Sequence, residues 1–199
     1  HHGEPRGRVL VVAANPAVSP QTGWPIGCWA AELTHPYHAL TEAGFAVTIA
    51  SPSGGRVEFD AYSDPTHESG YSAGDLLTRG FQSQPSLMAL LDDTPALASL
   101  DAADFDALFL AGGQSPMVTF RGNRELADFV AAFYESGKPT ALVCHATALL
   151  LDATLANGDL LVRGKRWTGF ADAEETIADE AVGQRIQPFW IESEARKLS

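Results

Sequence analysis

Gly137-Lys-Pro-Thr-Ala-Leu-Val-Cys-His-Ala-Thr-Ala-Leu-Leu-Leu-Asp152 is the stretch from which the architecture of the chain is read. Pro139 to Val143 is a short apolar run after a Gly-Lys-Pro break, and Ala146 to Ala156 has helical composition closed by Asn157-Gly158. Cys144 and His145 therefore fall where a strand turns into a helix. A side chain on such a turn projects from the carboxyl edge of a sheet, where the free N–H groups and positive end of the next helix favour an anion. A thiol held there is drawn toward thiolate, the nucleophilic form. A lone cysteine in an apolar run also fits a small buried hydrophobe, and from this stretch alone both readings stand.

Upstream, Arg8 to Ala14 is a near-continuous apolar run ending in Asn15-Pro16, the pattern of a first parallel strand buried on both faces. Ala17 to Ile26, with Pro20, Gly23, Trp24 and Pro25, reads as an ordered loop at that strand's carboxyl end, the functional edge of open α/β sheets. Gly27 to Ala43 reads as a helix ended by Gly44 and kinked or interrupted at Pro36. Phe45 to Ala50 is a second strand, and Phe105 to Leu110 a third that ends in Ala111-Gly112-Gly113. Between them, residues 56–100 are weakly patterned and read as a cap or lid inserted in a single domain of residues 4–199. Asn123 to Ser136 is an amphipathic helix with Leu126, Phe129, Val130 and Phe133 on one face, capped by Asn123 and closed by Gly137.

Downstream of Gly158, Leu160 to Val162 and Arg166 to Thr168 read as an antiparallel excursion. Asp172 to Ala181 reads as a helix, Ile186 to Ile191 as a short strand or extended piece, and Glu192 onward as the start of another helix. The βαβ alternation predicts a doubly wound α/β sandwich with a mostly parallel sheet.

A formal charge of −12 excludes nucleic acid and anionic membranes as natural partners, since both would repel the chain. No apolar run approaches the roughly 20 residues of a membrane span, and the start lacks a signal-peptide pattern. Cys28 and Cys144 are too few for a disulfide framework, which predicts free thiols and a cytoplasmic setting. His1-His2-Gly3 has the look of a purification-tag remnant.

Three strand ends are expected to meet at one edge: the loop before Glu32, the Gly112-Gly113 turn, and Cys144-His145. On the predicted helix Cys28 and Glu32 are four apart and share a face. Glu32 is either a solvated charge or, lying early in the apolar stretch Gly27-Cys-Trp-Ala-Ala-Glu-Leu, a buried carboxyl able to act as acid or base toward a thiol. The Gly112-Gly113 turn fits both a plain tight turn and an oxyanion-binding backbone. His35 and His38 lack a third metal ligand at a recognisable spacing, and neither a Walker loop nor a dinucleotide fingerprint occurs. Trp24 and Trp29 either line a pocket or pack in the core.

Taken together, Gly27-(x)4-Glu32-(x)2-His35-Pro36, Ala111-Gly112-Gly113, Ala141-Leu-Val-Cys144-His145 and Thr168-Gly-Phe-Ala-Asp172-Ala-Glu-Glu175-Thr-Ile resemble the ThiJ/PfpI superfamily of class I glutamine-amidotransferase-like folds. Within it, the chain resembles the glutathione-independent glyoxalase III and stress-chaperone branch. The resemblance implies Cys144 as elbow nucleophile, His145 as catalytic histidine and Glu175, with Asp172 as second choice, as the acid that orients it. It implies Glu32 as acid/base at the thiol, and Gly113 with the His145 N–H as oxyanion hole, beside Gly112 and Gln114. It further implies a homodimer, no metal or organic cofactor, and a small carbonyl substrate such as methylglyoxal, converted to the 2-hydroxy acid, or deglycase-like chemistry. Relatives of the same fold that hydrate or hydrolyse an isonitrile or amide, and redox sensors or holding chaperones, supply the alternatives. The chain departs from the branch in Gly112-Gly113-Gln114-Ser115, which replaces Gly-Gly-His-Gly, in Thr119-Phe120-Arg121, and in Ala146, which replaces a glycine. The resemblance also implies a final strand and helix beyond Ser199.

Overall fold

The computed structural model describes residues 3–198. His1, His2 and Ser199, and with them the tag-like start and the expected elements beyond the last residue, lie outside the described residues. Four parallel strands form the central sheet: β1 (Arg8–Val12), β4 (Ala46–Ala50), β5 (Ala107–Leu110) and β6 (Thr140–Leu142), in the order β4-β1-β5-β6. Val11 lies between Ile49 and Phe109, and Phe109 lies beside Ala141, so the strands are in register and their carboxyl ends finish together.

The apolar run of β1 is buried on both faces because its side chains alternate between two cores. Leu10 and Val12 join Leu108, Leu110, Phe120 and the apolar face of α5 (Arg124–Glu135) on one side. Val9 and Val11 join Ile49, Leu33 of α1 (Ala30–Glu42) and Phe81 on the other. On α5, Leu126, Val130 and Phe133 are buried as their spacing requires, and Phe129 stacks on Phe133 with centroids 6.4 Å apart. The Asn123 side chain accepts the Leu126 N–H at 3.1 Å, and Gly137 just past the helix has φ 78°.

Several local expectations are corrected. Helix α1 starts at Ala30, not Gly27. Cys28 instead sits in extended backbone bridged to Phe59, so it does not share a helical face with Glu32. The reason is tertiary: the Cys28 N–H donates to Glu58 O and the Cys28 carbonyl accepts from Asp60, which holds Gly27 and Cys28 as an added strand segment. The helix then runs through Pro36 without interruption, one ladder hydrogen bond short at the Glu32 carbonyl.

Residues 56–100 are more regular than their composition predicts. They hold α2 (Leu76–Gln82) and α3 (Pro85–Asp92), with Asp75 capping α2 through the Thr78 N–H and Pro85 opening α3. Phe81 and Leu91 bury themselves against the α1 side of the sheet. The loop after β1 contains a two-residue hairpin, β2 (Ala17–Val18) with β3 (Pro25–Ile26). α4 (Pro116–Thr119) precedes α5.

After β6 the chain forms a 3-10 helix, Cys144–Leu151, rather than an α-helix reaching Ala156. The antiparallel excursion reduces to one bridge between Thr154 and Leu160, with no strand at Arg166 to Thr168. The Arg163 and Lys165 N–H groups close turns onto Leu160 and Val162 instead. The chain ends in α6 (Asp172–Val182) and α7 (Ile191–Arg196), joined by irregular backbone where a strand was one expectation. No described helix is long and apolar enough to cross a membrane.

Candidate active site

Val143 leaves β6 in extended conformation (φ −120°, ψ 151°), and the next residue, Cys144, turns sharply with φ 55°. Among the described residues it is the one non-glycine residue with positive φ. That backbone costs an L-residue about 1–2 kcal/mol, and local hydrogen bonds hold it. Thr147 Oγ1 donates to the Cys144 carbonyl at 2.6 Å, and the Ala146 N–H donates to Val143 O at 3.0 Å. The sulfur is thereby lifted off the sheet edge, partly exposed.

His145 follows on the 3-10 helix and turns its ring back across the elbow. Its Nδ1 faces Cys144 Sγ at 3.3 Å, and its Nε2 faces Glu175 Oε1 at 2.6 Å. Phe170 stacks on the other side of the imidazole, with centroids 4.1 Å apart and planes at 26°. Glu175 is 1% exposed. Burial alone disfavours a charged imidazole, but the hydrogen bonds to Cys144 and Glu175 outweigh it and push the His145 pKa up to about 10. Asp172, the other acid considered for this place, is one turn earlier on α6. It accepts the Ser193 hydroxyl at 2.6 Å and ties α6 to α7.

On the opposite side of the sulfur lies Glu32, in the first turn of α1. Its Oε1 accepts the Gly112 N–H at 2.9 Å, which sets the carboxyl in the neighbourhood of Cys144. Burial raises its pKa above the usual carboxylate range, with the Gly112 N–H, Cys144 and His145 acting the other way. The surface-charge reading of Glu32 therefore fails.

The two glycines are required by contact. A Cβ on Gly112 would lie 2.7 Å from Glu32 Oε1 and 2.8 Å from Cys144 Cβ. At Gly113, with φ 109°, it would lie 2.4 Å from the Trp29 nitrogen. Among the described residues, neither the Gly113 N–H nor the His145 N–H has a hydrogen-bond partner. Gln114, the position that departs from the branch pattern, donates its backbone N–H to Asp60 at 2.7 Å, and Ser115 Oγ donates to Asn15 O.

Asp60 is the group that sequence reasoning missed. It is 1% exposed, and its second oxygen accepts the Gly27 N–H at 2.8 Å. It thus clasps the entry to α1 and the Gly113-Gln114 turn together. Burial raises its pKa to about 6, only partly offset by those two donors and by His145. No spacing marks Asp60 in the sequence. The available hint was an acidic residue inside an apolar-flanked segment, Val57 to Tyr62. Cys28, the other thiol, is fully buried beside Asp60 and Glu32, and burial pushes its pKa well up. It is the inert one of the pair.

Cys144, His145, Glu32 and Glu175 open into a cavity of about 460 Å3. Trp24 and Trp29 line it rather than packing in the core, together with Tyr62 and Tyr71 from the 56–100 segment. His35 lies apart and pairs with Asp75 at 2.8 Å. Among the described residues no three His, Cys, Asp or Glu side chains are grouped to hold a metal ion.

Comparison with known proteins bears on the family and the fold. A deglycase of Pyrococcus horikoshii is 28% identical over 166 residues, 78% of this chain and 82% of its own length. A glutathione-independent glyoxalase of Saccharomyces cerevisiae is 27% identical over 153 residues, 76% of this chain and 62% of its own. Among solved structures, the 24 kDa Rapid Encystment Protein of Francisella tularensis superposes with a TM-score of 0.82 at 26% identity, covering 96% of this chain and 80% of that one. Residues 27–187 match the DJ-1/PfpI family, and the chain, with its mostly parallel sheet and elbow cysteine, belongs to that family.

Proposed function

We propose that the chain is a cysteine enzyme acting on a reactive carbonyl metabolite, converting a 2-oxoaldehyde to a 2-hydroxy acid, a reading supported by its similarity to proteins named glutathione-independent glyoxalase and glyoxalase 3. The observation that carries the reading is the alignment of Glu32, Cys144, His145 and Glu175 on one cavity floor, with carboxyls on both sides of the thiol–imidazole pair.

The Cys144 thiolate, its charge balanced by the imidazolium that Glu175 holds, adds to the aldehyde carbon and forms a C–S bond. The resulting oxyanion takes the free Gly113 and His145 N–H groups, and protonation gives a hemithioacetal. Glu32, kept protonatable by burial, removes the hydrogen on that carbon as a proton to give an enediolate; the hydroxyl proton on the sulfur-bearing carbon shifts to the second oxygen, and Glu32 returns its proton to the neighbouring carbon. The product is a thioester of the 2-hydroxy acid. Water then cleaves the C–S bond, releasing the acid and restoring the thiol. One water is consumed, and no external oxidant or reductant enters the balance.

The test is lactate formation from methylglyoxal, without glutathione or added metal, by the protein and its Cys144→Ala variant. Lactate from the unmodified protein alone is the expected result. Equal lactate from the variant overturns the nucleophile assignment, and failure to turn over any 2-oxoaldehyde overturns the reaction. Glu32→Gln keeps an acceptor for the Gly112 N–H but cannot take the proton, so kcat should fall at least about 100-fold. An unchanged pH–rate profile would remove Glu32 from the route.

A further inference from the structure

The cavity over Cys144 is larger and more aromatic than a three-carbon aldehyde requires. Its volume of about 460 Å3 falls within the roughly 300–1,000 Å3 of sites that enclose drug-sized ligands. Trp29, Tyr71 and Tyr62 form an edge-to-face series at its mouth. The Trp29 and Tyr71 centroids are 6.3 Å apart at 86°, and those of Tyr71 and Tyr62 5.9 Å apart at 68°. Tyr71 is 73% exposed and Tyr62 39%, a large apolar surface left open to solvent beside a reactive centre. From α6, Ala178 and Ala181 reach the same cavity and fill little of it.

The charge of the lining narrows the ligand further. No Lys or Arg lines the cavity, and its carboxyls and imidazole are already engaged, Glu32 by the Gly112 N–H and His145 by Cys144 and Glu175. A phosphate or carboxylate tail would find no cation to spare there, since the one imidazolium, His145, is already paired with Glu175 and Cys144, on a chain of net charge −12. A polyhydroxylated tail would find mainly aromatic faces and two glutamines. A flat uncharged ring instead gains edge-to-face and stacking contacts with surface that is otherwise wet.

We infer that the substrate is an aryl-substituted 2-oxoaldehyde, its carbonyl pair over Cys144 and its uncharged ring among Trp29, Tyr62 and Tyr71. This rests on the carbonyl-addition reading above, and the test separates the two.

Initial-rate kcat/KM is measured with phenylglyoxal, its para-carboxylate and methylglyoxal, for the protein and a Tyr62→Ala/Tyr71→Ala double variant. In parallel, NMR titration of Cys144→Ala, with and without the double substitution, compares 2-hydroxyacetophenone with hydroxyacetone, two unreactive ketones with the same head group. Expected are an advantage of about tenfold or more for phenylglyoxal over both other aldehydes, and a matching preference for the aryl ketone in binding. Both should shrink to within about threefold when the two tyrosines are removed. Turnover of all three aldehydes at similar kcat/KM overturns the inference and leaves the reaction standing. If no aldehyde is turned over, the reaction falls and binding decides: a tyrosine-dependent aryl preference supports the cavity assignment, and equal binding of the two ketones overturns it.

Discussion

Replacing Asp60 by asparagine isolates the cost of keeping a carboxyl beneath the reactive centre. The side chain is 1% exposed and titrates at about 6 against an ordinary 3.8, because burial outweighs the two backbone donors that face it. At about 1.4 kcal/mol per pH unit, that difference corresponds to about 3 kcal/mol. The direction follows from proton binding. The folded protein holds the Asp60 proton more tightly than the unfolded chain, so this group's favourable contribution is fully present below 3.8 and is lost as pH rises through about 6. Asp60→Asn cannot titrate. The asparagine amide must also oppose one of the Gly27 and Gln114 N–H groups with another donor, a pH-independent penalty of about 1–3 kcal/mol. The stability of the parent minus that of the variant, from urea unfolding, should therefore decline by about 2 kcal/mol between about pH 4 and 7, whatever its offset. A difference that stays flat across that interval would refute the buried-carboxyl account.

Two other substitutions probe neighbouring parts of the site. Glu175→Gln removes the carboxylate that helps hold the His145 pKa at about 10, so the imidazole should titrate closer to 6.5 by ring NMR. The stabilisation from His145 protonation is present below 6.5 and lost as pH rises through about 10, so the variant should lose stability earlier on the alkaline side. Its kcat should fall by about two to four orders of magnitude, and an unmoved imidazole titration would argue against the pair. Gly113→Ala must place a Cβ 2.4 Å from the Trp29 nitrogen at φ 109°. It should cost about 2–5 kcal/mol in urea unfolding, and a neutral result would mean that the turn relaxes freely.

Which features could be read from the sequence follows from how far each signal reaches along the chain. The buried β1, the Asn123 cap and Gly137 closure of α5, and the strand-to-helix break at Cys144 are each written in fewer than about twenty neighbouring residues, the range over which periodicity and capping act. The residues assigned to the site from sequence, Cys144, His145, Glu32, Glu175, Gly112, Gly113 and Gln114, do lie together around the cavity. Glu175 and Asp172 were harder to separate. They are three apart in the first turn of α6, and only the packing of that helix sends one to His145 and the other to Ser193.

By itself, the sequence determined the doubly wound architecture, the elbow with its adjacent histidine, and the glycine turn facing it, because each is set by local backbone preference and hydrophobic pattern. Tertiary structure alone decided the rest. It drew Cys28 out of α1 into an added strand segment, since backbone hydrogen bonds to Glu58 and Asp60 outcompeted helix formation. Asp60 was brought to donors 33 and 54 residues away. Trp29, Tyr62 and Tyr71 were assembled over Cys144 from segments with no shared period. Contacts between residues distant in sequence leave no pattern within either segment, and the cavity is made of such contacts.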